Sequence, residues 1–114
     1  MVDTGVDGKH PDLNGRVLGG YNSVANSTNV TDTDGHGTMV AGIIAANTGN
    51  GIGVAGATWN GRILPIKVFA GEYAYDSDIA EGVTWAVNHG AKVINMSLGG
   101  PGESGGNGAR HAVA

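Results

Sequence analysis

The chain has no cysteine, and that absence excludes disulfides, thiolate zinc sites and a cysteine nucleophile together while leaving the redox compartment undetermined. Covalent catalysis, if the protein performs any, must use Ser, Thr, Lys or a carboxylate. Basic charge is also scarce: 6 Lys and Arg against 10 Asp and Glu give a net charge of −4. That balance lacks the basic stripe a phosphate backbone requires, so no nucleic-acid partner is expected. No run approaches the roughly 18 apolar residues of a membrane span, and the opening MVDTGVDGKH has no signal-peptide core, so no membrane association is expected either. Aromatic residues are few, with one Phe and two Trp, whereas Gly occurs 22 times in 114 residues. Such a composition describes tight turns and closely approaching backbones in one domain. A domain of this length should bury about 65% of its unfolded surface, enough for a core.

Met1 and Val2 read as the stump of a strand that meets the turn Asp3-Thr4-Gly5 at once, as if the chain began inside an element. Residues 8–34 are turn-rich, with Asn14-Gly15 and Gly19-Gly20, and one short strand is predicted over Arg16 to Tyr21. Asn26 and Asn29 head glycosylation-like triplets, a pattern that Asn/Thr-rich loops produce by chance. Val40, Ile43 and Ile44 fall at helical spacing and predict a buried helix over 38–46. Arg62 to Phe69 reads as a strand in which Pro65 signals an edge or a bulge. A second helix should start in the cluster Asp76, Ser77, Asp78, with Asp78 and Glu81 as a capping box, bury Ile79, Val83, Ala86 and Val87, and stop at Gly90. Lys92 to Met96 reads as a strand buried on both faces, and the segment after Gly99 as a glycine loop leading into another helix. Strands alternating with helices argue for right-handed crossovers and a parallel sheet.

Three short motifs carry chemistry. Asp3-Thr4-Gly5 puts a carboxylate at the C-terminal end of a strand, where open parallel sheets place their sites. The same triplet marks aspartic proteases, in which two chains each lend one Asp, but those are all-β and the helical periodicities here argue against them. In His36-Gly37-Thr38 a histidine lies at a helix N-terminus, whose dipole favours the neutral imidazole of a base. Ser97-Leu98-Gly99-Gly100 follows a strand and offers backbone groups to an extended peptide.

In this order, DTGVDGKHPDL at Asp3, GHGTMVAGIIAA around His36 and VINMSLGG at 93–100 resemble the subtilisin-like serine proteases, or subtilases. The resemblance runs from Val2 to about Pro101 and implies a three-layer α/β/α fold with a mostly parallel sheet, incomplete in this chain. It implies a serine endopeptidase that hydrolyses polypeptide substrates, with Asp3 orienting the imidazole and His36 taking the serine proton, and a secreted or extracellular setting. By resemblance, Ser97, Leu98 and Gly99 form a wall of the specificity pocket, and Gly71, Glu72 and Tyr73 the opposite edge of the cleft. No cofactor is required for the chemistry, but the family suggests a structural calcium held by Asp12 and the loop after the helix, including Asn47 and Asn50, whose hard oxygens suit that ion. Asp32 and Asp34 read as solvated loop acids.

Two departures from the family matter. Met39 stands where a histidine is usual, next to the site. More seriously, none of the five serines, Ser23, Ser27, Ser77, Ser97 and Ser104, has the Gly-Thr-Ser context of the nucleophile, and Asn107 lies too close to the SLGG segment to be the oxyanion donor. Residues 1–114 are therefore expected to form part of a subtilase catalytic domain that holds the acid and base, lacks the serine and is inactive alone. A C-terminal subtilase half, or another chain, is the expected partner. The alternative is a non-catalytic peptide-binding or interaction remnant of the same fold.

Overall fold

The computed structural model describes residues 1–46, 61–99 and 110–113. Its centre is a parallel sheet. Strand β1 (Val2–Asp3) pairs with β3 (Ile66–Lys67), whose other edge takes β2 (Tyr21–Asn22). A parallel bridge from Val2 to Met96 extends the sheet beyond β1.

The side-chain alternation of the strands divides the core in two. Met1 and Ile63 face one way and pack with Val6, Leu13, Val40, Ala41 and Ala45, which brings helix α1 (His36–Ala45) onto that face. Val2, Ile66 and Val68 face the other way and meet Ile79 and Ala86 of helix α2 (Asp76–Asn88). Helix, sheet and helix thus form the three expected layers. Val2, Ile66 and Val68 are fully buried, each stabilising the sheet by about 1.5–3 kcal/mol on transfer from water.

Beside this sheet lies a second, antiparallel one. Strands β4 (Phe69–Ala70) and β5 (Tyr73–Tyr75) form a hairpin across Gly71-Glu72, with Gly71 at φ +68°. Strand β7 (Arg110–Val113) pairs with β5 on one edge and with β6 (Leu98–Gly99) on the other.

Several local expectations need correction. The strand predicted over 16–21 is instead a bridge at Val17 followed by β2, and the strand over 62–69 splits into a bridge at Ile63, β3 and β4. Pro65 explains the gaps between the Val17–Ile63 bridge and the β2–β3 pairing, since it has no N–H for the ladder although its carbonyl accepts from Tyr21. It does not mark an edge, because β3 lies between β1 and β2.

On α1 the inward stripe is Gly37, Ala41 and Ala45 with Val40, while Ile43 is 61% exposed. Close approach to the β1 turn selects the smallest residues, not the most apolar ones. On α2, Tyr75 is the N-cap and Asp78 lies inside the first turn, so the capping box does not form. Asp76 and Asp78 act there on the helix dipole. Val87 is exposed, and its expected place on the inner face is taken by Gly82. The helix does stop as predicted: Gly90 has φ +90° and Ala91 donates back to the Ala86 carbonyl.

Lys92 to Met96 forms only the bridge at Met96, and Val93 is 86% exposed. Among the described residues nothing pairs with its outer edge, so the segment is neither a full strand nor buried on both faces. The terminal helix is not seen among the described residues either. Arg110–Val113 is a strand, because the edges of β5 and β6 offer it a ladder on both sides.

Candidate active site

Asp3 ends β1, and the chain turns sharply after it because Gly5 adopts φ +114°. A Cβ on Gly5 would run into the Val30 carbonyl oxygen. Asp3 is fully buried, and its Oδ1 accepts from the Thr4 N–H at 2.7 Å. His36 is the first residue of α1, and its Nδ1 lies 2.8 Å from the same Oδ1, across 33 residues of sequence. The two motifs predicted to supply acid and base therefore meet. The imidazole remains reachable, with 14% of its side chain exposed against none for Asp3. Asp3 Oδ2 is buried and has no hydrogen-bond partner among the described residues.

This contact is possible because two backbones approach closely. A Cβ on Gly37 would collide with the carbonyl oxygen of Gly5, so only glycine lets the start of α1 rest on the β1 turn.

The first turn of α1 has no side-chain bond from its N-cap, Gly35, yet its N–H groups are satisfied. His36 N donates to Asp34 Oδ1 at 3.2 Å, Gly37 N to Thr4 Oγ1 at 2.8 Å and Thr38 N to Asp32 Oδ2 at 2.9 Å. Asp32 is the hub of this arrangement, not the solvated loop acid expected. Its Oδ1 accepts from the Thr4 hydroxyl at 2.9 Å and from Asp34 N at 3.0 Å and Gly35 N at 2.9 Å. Its Oδ2 accepts from the Thr38 hydroxyl at 2.6 Å in addition to Thr38 N. Partial burial alone would raise its pKa. The bonds from the Thr38 hydroxyl, Gly35 N–H, Thr38 N–H and Thr4 hydroxyl outweigh that and lower it from 3.8 to about 2. Asp34 is likewise a cap. The available signal was an Asp four residues before the histidine that opens a helix, since such side chains favour free N–H groups there.

The remaining predicted residues fall in two places. Gly71 and Glu72 form the tip of the β4–β5 hairpin, and Tyr73 opens β5, while Ser97 precedes β6, which is Leu98–Gly99. Ser97 Oγ accepts from Asn95 Nδ2 at 3.0 Å. Of these residues, Tyr73 on one side and Leu98 and Gly99 on the other pair antiparallel with β7, whereas Gly71, Glu72 and Ser97 lie outside that pairing. Asp12 is 6% exposed, in a short 3-10 helix, Pro11–Leu13. Asn47 and Asn50 lie outside the described residues. Among the described residues no group of three or more His, Cys, Asp or Glu is placed to hold a metal. Nor is any helix there long and apolar enough to cross a membrane.

Comparison with known proteins identifies the family. The profile of Peptidase S8, the subtilase family, matches residues 1–114. A thermophilic serine proteinase of Bacillus sp. (strain AK1) is 47% identical over 100 residues, covering 87% of this chain and 25% of the relative. The cell wall-associated protease of Bacillus subtilis (strain 168) is 47% identical over 103 residues, 88% of this chain and 12% of the relative. Among solved structures, fervidolysin from Fervidobacterium pennivorans, a keratinolytic enzyme related to subtilisin, superposes with a TM-score of 0.73 at 39% identity, over 86% of this chain and 16% of that one. The chain spans a quarter or less of the length of these three proteins. With the family profile matched along residues 1–114 and a three-layer α/β/α core, the chain belongs to the subtilase family of serine proteases.

Proposed function

We propose that these residues carry the acid and base of a subtilisin-type serine endopeptidase, with the nucleophile supplied by sequence beyond them. The observation that carries this reading is the 2.8 Å approach of His36 Nδ1 to Asp3 Oδ1. With its Nδ1 proton donated to the carboxylate, the imidazole keeps a lone pair on Nε2. That lone pair takes the proton from a serine hydroxyl as the oxygen attacks the peptide carbonyl carbon, and the resulting imidazolium is oriented and stabilised by Asp3. The proton then passes to the departing amine and leaves an acyl ester, which water hydrolyses by the same route.

Neither the serine context nor an oxyanion asparagine is present, so the chain alone is inactive in this reading. In subtilisin itself, loss of the serine lowers kcat on the order of a millionfold, about as much as loss of the whole triad.

The spacing of the walls supports a polypeptide substrate. One extended strand, β7, fits between β5 and β6, so at about 4.8 Å per strand step the walls stand about 10 Å apart. An extended peptide taking the place of β7 would be bonded on both edges, through the backbone of Tyr73 on one side and of Leu98 to Gly99 on the other. The need for a partner is supported by a groove of about 550 Å³ whose lining includes Leu18, Ile44, Leu64 and Val93. A C-terminal subtilase half would cover this apolar surface. The chemistry calls for no cofactor; a structural calcium on Asp12, Asn47 and Asn50, and a secreted or extracellular setting, complete the proposal.

The reading is tested by peptide hydrolysis with the chain alone, with the chain mixed with a separately produced C-terminal subtilase half, and with His36→Ala in the same mixture. Activity in the mixture alone, lost in the variant, supports it. Activity in the chain alone refutes the missing nucleophile. Silence throughout, with peptide binding retained, favours a non-catalytic peptide-binding remnant.

A further inference from the structure

We propose that Asp32 is a positioning residue for the Asp3–His36 pair, its single carboxylate fixing the turn that carries the acid against the helix start that carries the base. The inference rests on the proposed function above. Five donors converge on this one group, and they come from both sides of the site.

On the acid side, the Thr4 hydroxyl donates to Asp32 Oδ1 at 2.9 Å while its oxygen accepts from Gly37 N at 2.8 Å. Thr4 is the residue after Asp3, and Gly37 the residue after His36. One hydroxyl therefore links the two catalytic segments, and Asp32 fixes the direction in which it points. On the base side, the Thr38 hydroxyl donates to Asp32 Oδ2 at 2.6 Å and accepts from Asp7 N at 2.9 Å, a second link back to the segment after Asp3. Both hydroxyls have one hydrogen to give, and both give it to Asp32. Without that acceptor each is free to rotate, and the N–H groups of Gly37 and Asp7 lose oriented partners.

An asparagine cannot substitute. It offers one acceptor oxygen and an NH2 group where every neighbour is a donor, so it satisfies either the Thr4 side or the Thr38 side. A displacement of about an ångström between base and acid is enough to lower turnover severely. Asp32 itself makes no hydrogen bond to the imidazole ring or to the Asp3 carboxylate among the described residues, so it acts through Thr4 and Thr38 and not on the reacting atoms.

The test follows the His36 Nδ1 proton by NMR in the 15N-labelled full chain. Held against Asp3, that proton gives a downfield resonance slow enough in exchange to be seen. Asp32→Asn should abolish it, and so should Thr4→Val, which removes the hydroxyl link while leaving every charge in place. Ile79→Ala, which loosens the core under α2 far from either turn, should retain it. In the mixture with a C-terminal half, Asp32→Asn should lower kcat by about tenfold or more with KM changed by less than about twofold. A resonance that survives in Thr4→Val and in folded Asp32→Asn overturns the proposal, as does its absence from the unmodified chain or its loss in Ile79→Ala. If Asp32→Asn does not fold, Thr4→Val decides. If the unmodified mixture is silent, the proposed function fails, and the resonance still decides the role of Asp32.

Discussion

Replacing Asp32 by asparagine should cost stability near neutral pH and cost less as the pH falls. The carboxylate has a pKa of about 2 in the folded chain against 3.8 unfolded. Because the folded value is the lower one, the native state stays ionised where the unfolded chain already binds a proton. The contribution is therefore fully present above about pH 4 and is lost as the pH falls through about 2. At about 1.4 kcal/mol per unit, the shift sets a ceiling near ~2.5 kcal/mol. Asp32 is only half-buried, and solvent screening brings the net value to about 1–1.5 kcal/mol. Urea unfolding of the unmodified chain and of Asp32→Asn, followed by circular dichroism from pH 7 to pH 2, measures it. The stability gap between them should narrow by about 1–1.5 kcal/mol across that range, most of it below pH 4. Parallel curves would refute the claim that the five donors favour the ionised carboxylate, and a gap that widens in acid would reverse its sign.

Gly37→Ala should destabilise the fold by about 2 kcal/mol or more in the same assay, because the new Cβ meets the Gly5 carbonyl, which is backbone and cannot rotate away. Val93→Ser should change the stability of the isolated chain by less than about 0.5 kcal/mol, since the side chain is 86% exposed, yet weaken association with a C-terminal half in a titration. Calcium at a hundred times its dissociation constant should stabilise the chain by about 2.7 kcal/mol over chelator, and Asp12→Ala should remove the effect. Unchanged melting with calcium would dispose of the proposed ion.

The meeting of the two motifs was legible in the sequence where each fixes its own turn. Asp3 and His36 each lie in a glycine-bearing turn, and the fold brings them within 2.8 Å. Periodicity also located α1 and α2, but not the faces they bury. It weights large apolar residues, whereas α1 rests on its smallest ones, and so Ile43 faces out. Asp32 was misread for a related reason. An acid in a polar loop is ordinarily solvated, and only the folded chain shows two hydroxyls and three N–H groups converging on it. Lys92 to Met96 fails as a strand because a buried-strand pattern describes neighbours, and the described residues supply them on one side only.

Asp3 has a consequence for stability that can be separated from catalysis. A fully buried carboxylate with one oxygen unpaired among the described residues is a liability, since an unsatisfied buried acceptor costs about 1–3 kcal/mol. His36 is the side chain that compensates it, through Oδ1. His36→Ala should therefore destabilise the chain by more than the lost imidazole packing, because among the described residues it leaves Asp3 with only the Thr4 N–H as a partner. Breaking a buried pair by removing one member costs about 3–5 kcal/mol, and the partial exposure of His36 lowers this to about 1–3, since water can enter behind it. Adding Asp3→Ala to His36→Ala removes the buried carboxyl whose acceptors are left unmet and should recover about 1 kcal/mol or more. The double variant should thus be more stable than His36→Ala alone while being no more active in the reconstituted mixture. If the second substitution instead destabilises further, Asp3 is held by more than His36 and Thr4, and its burial is structural and not a feature retained for the base.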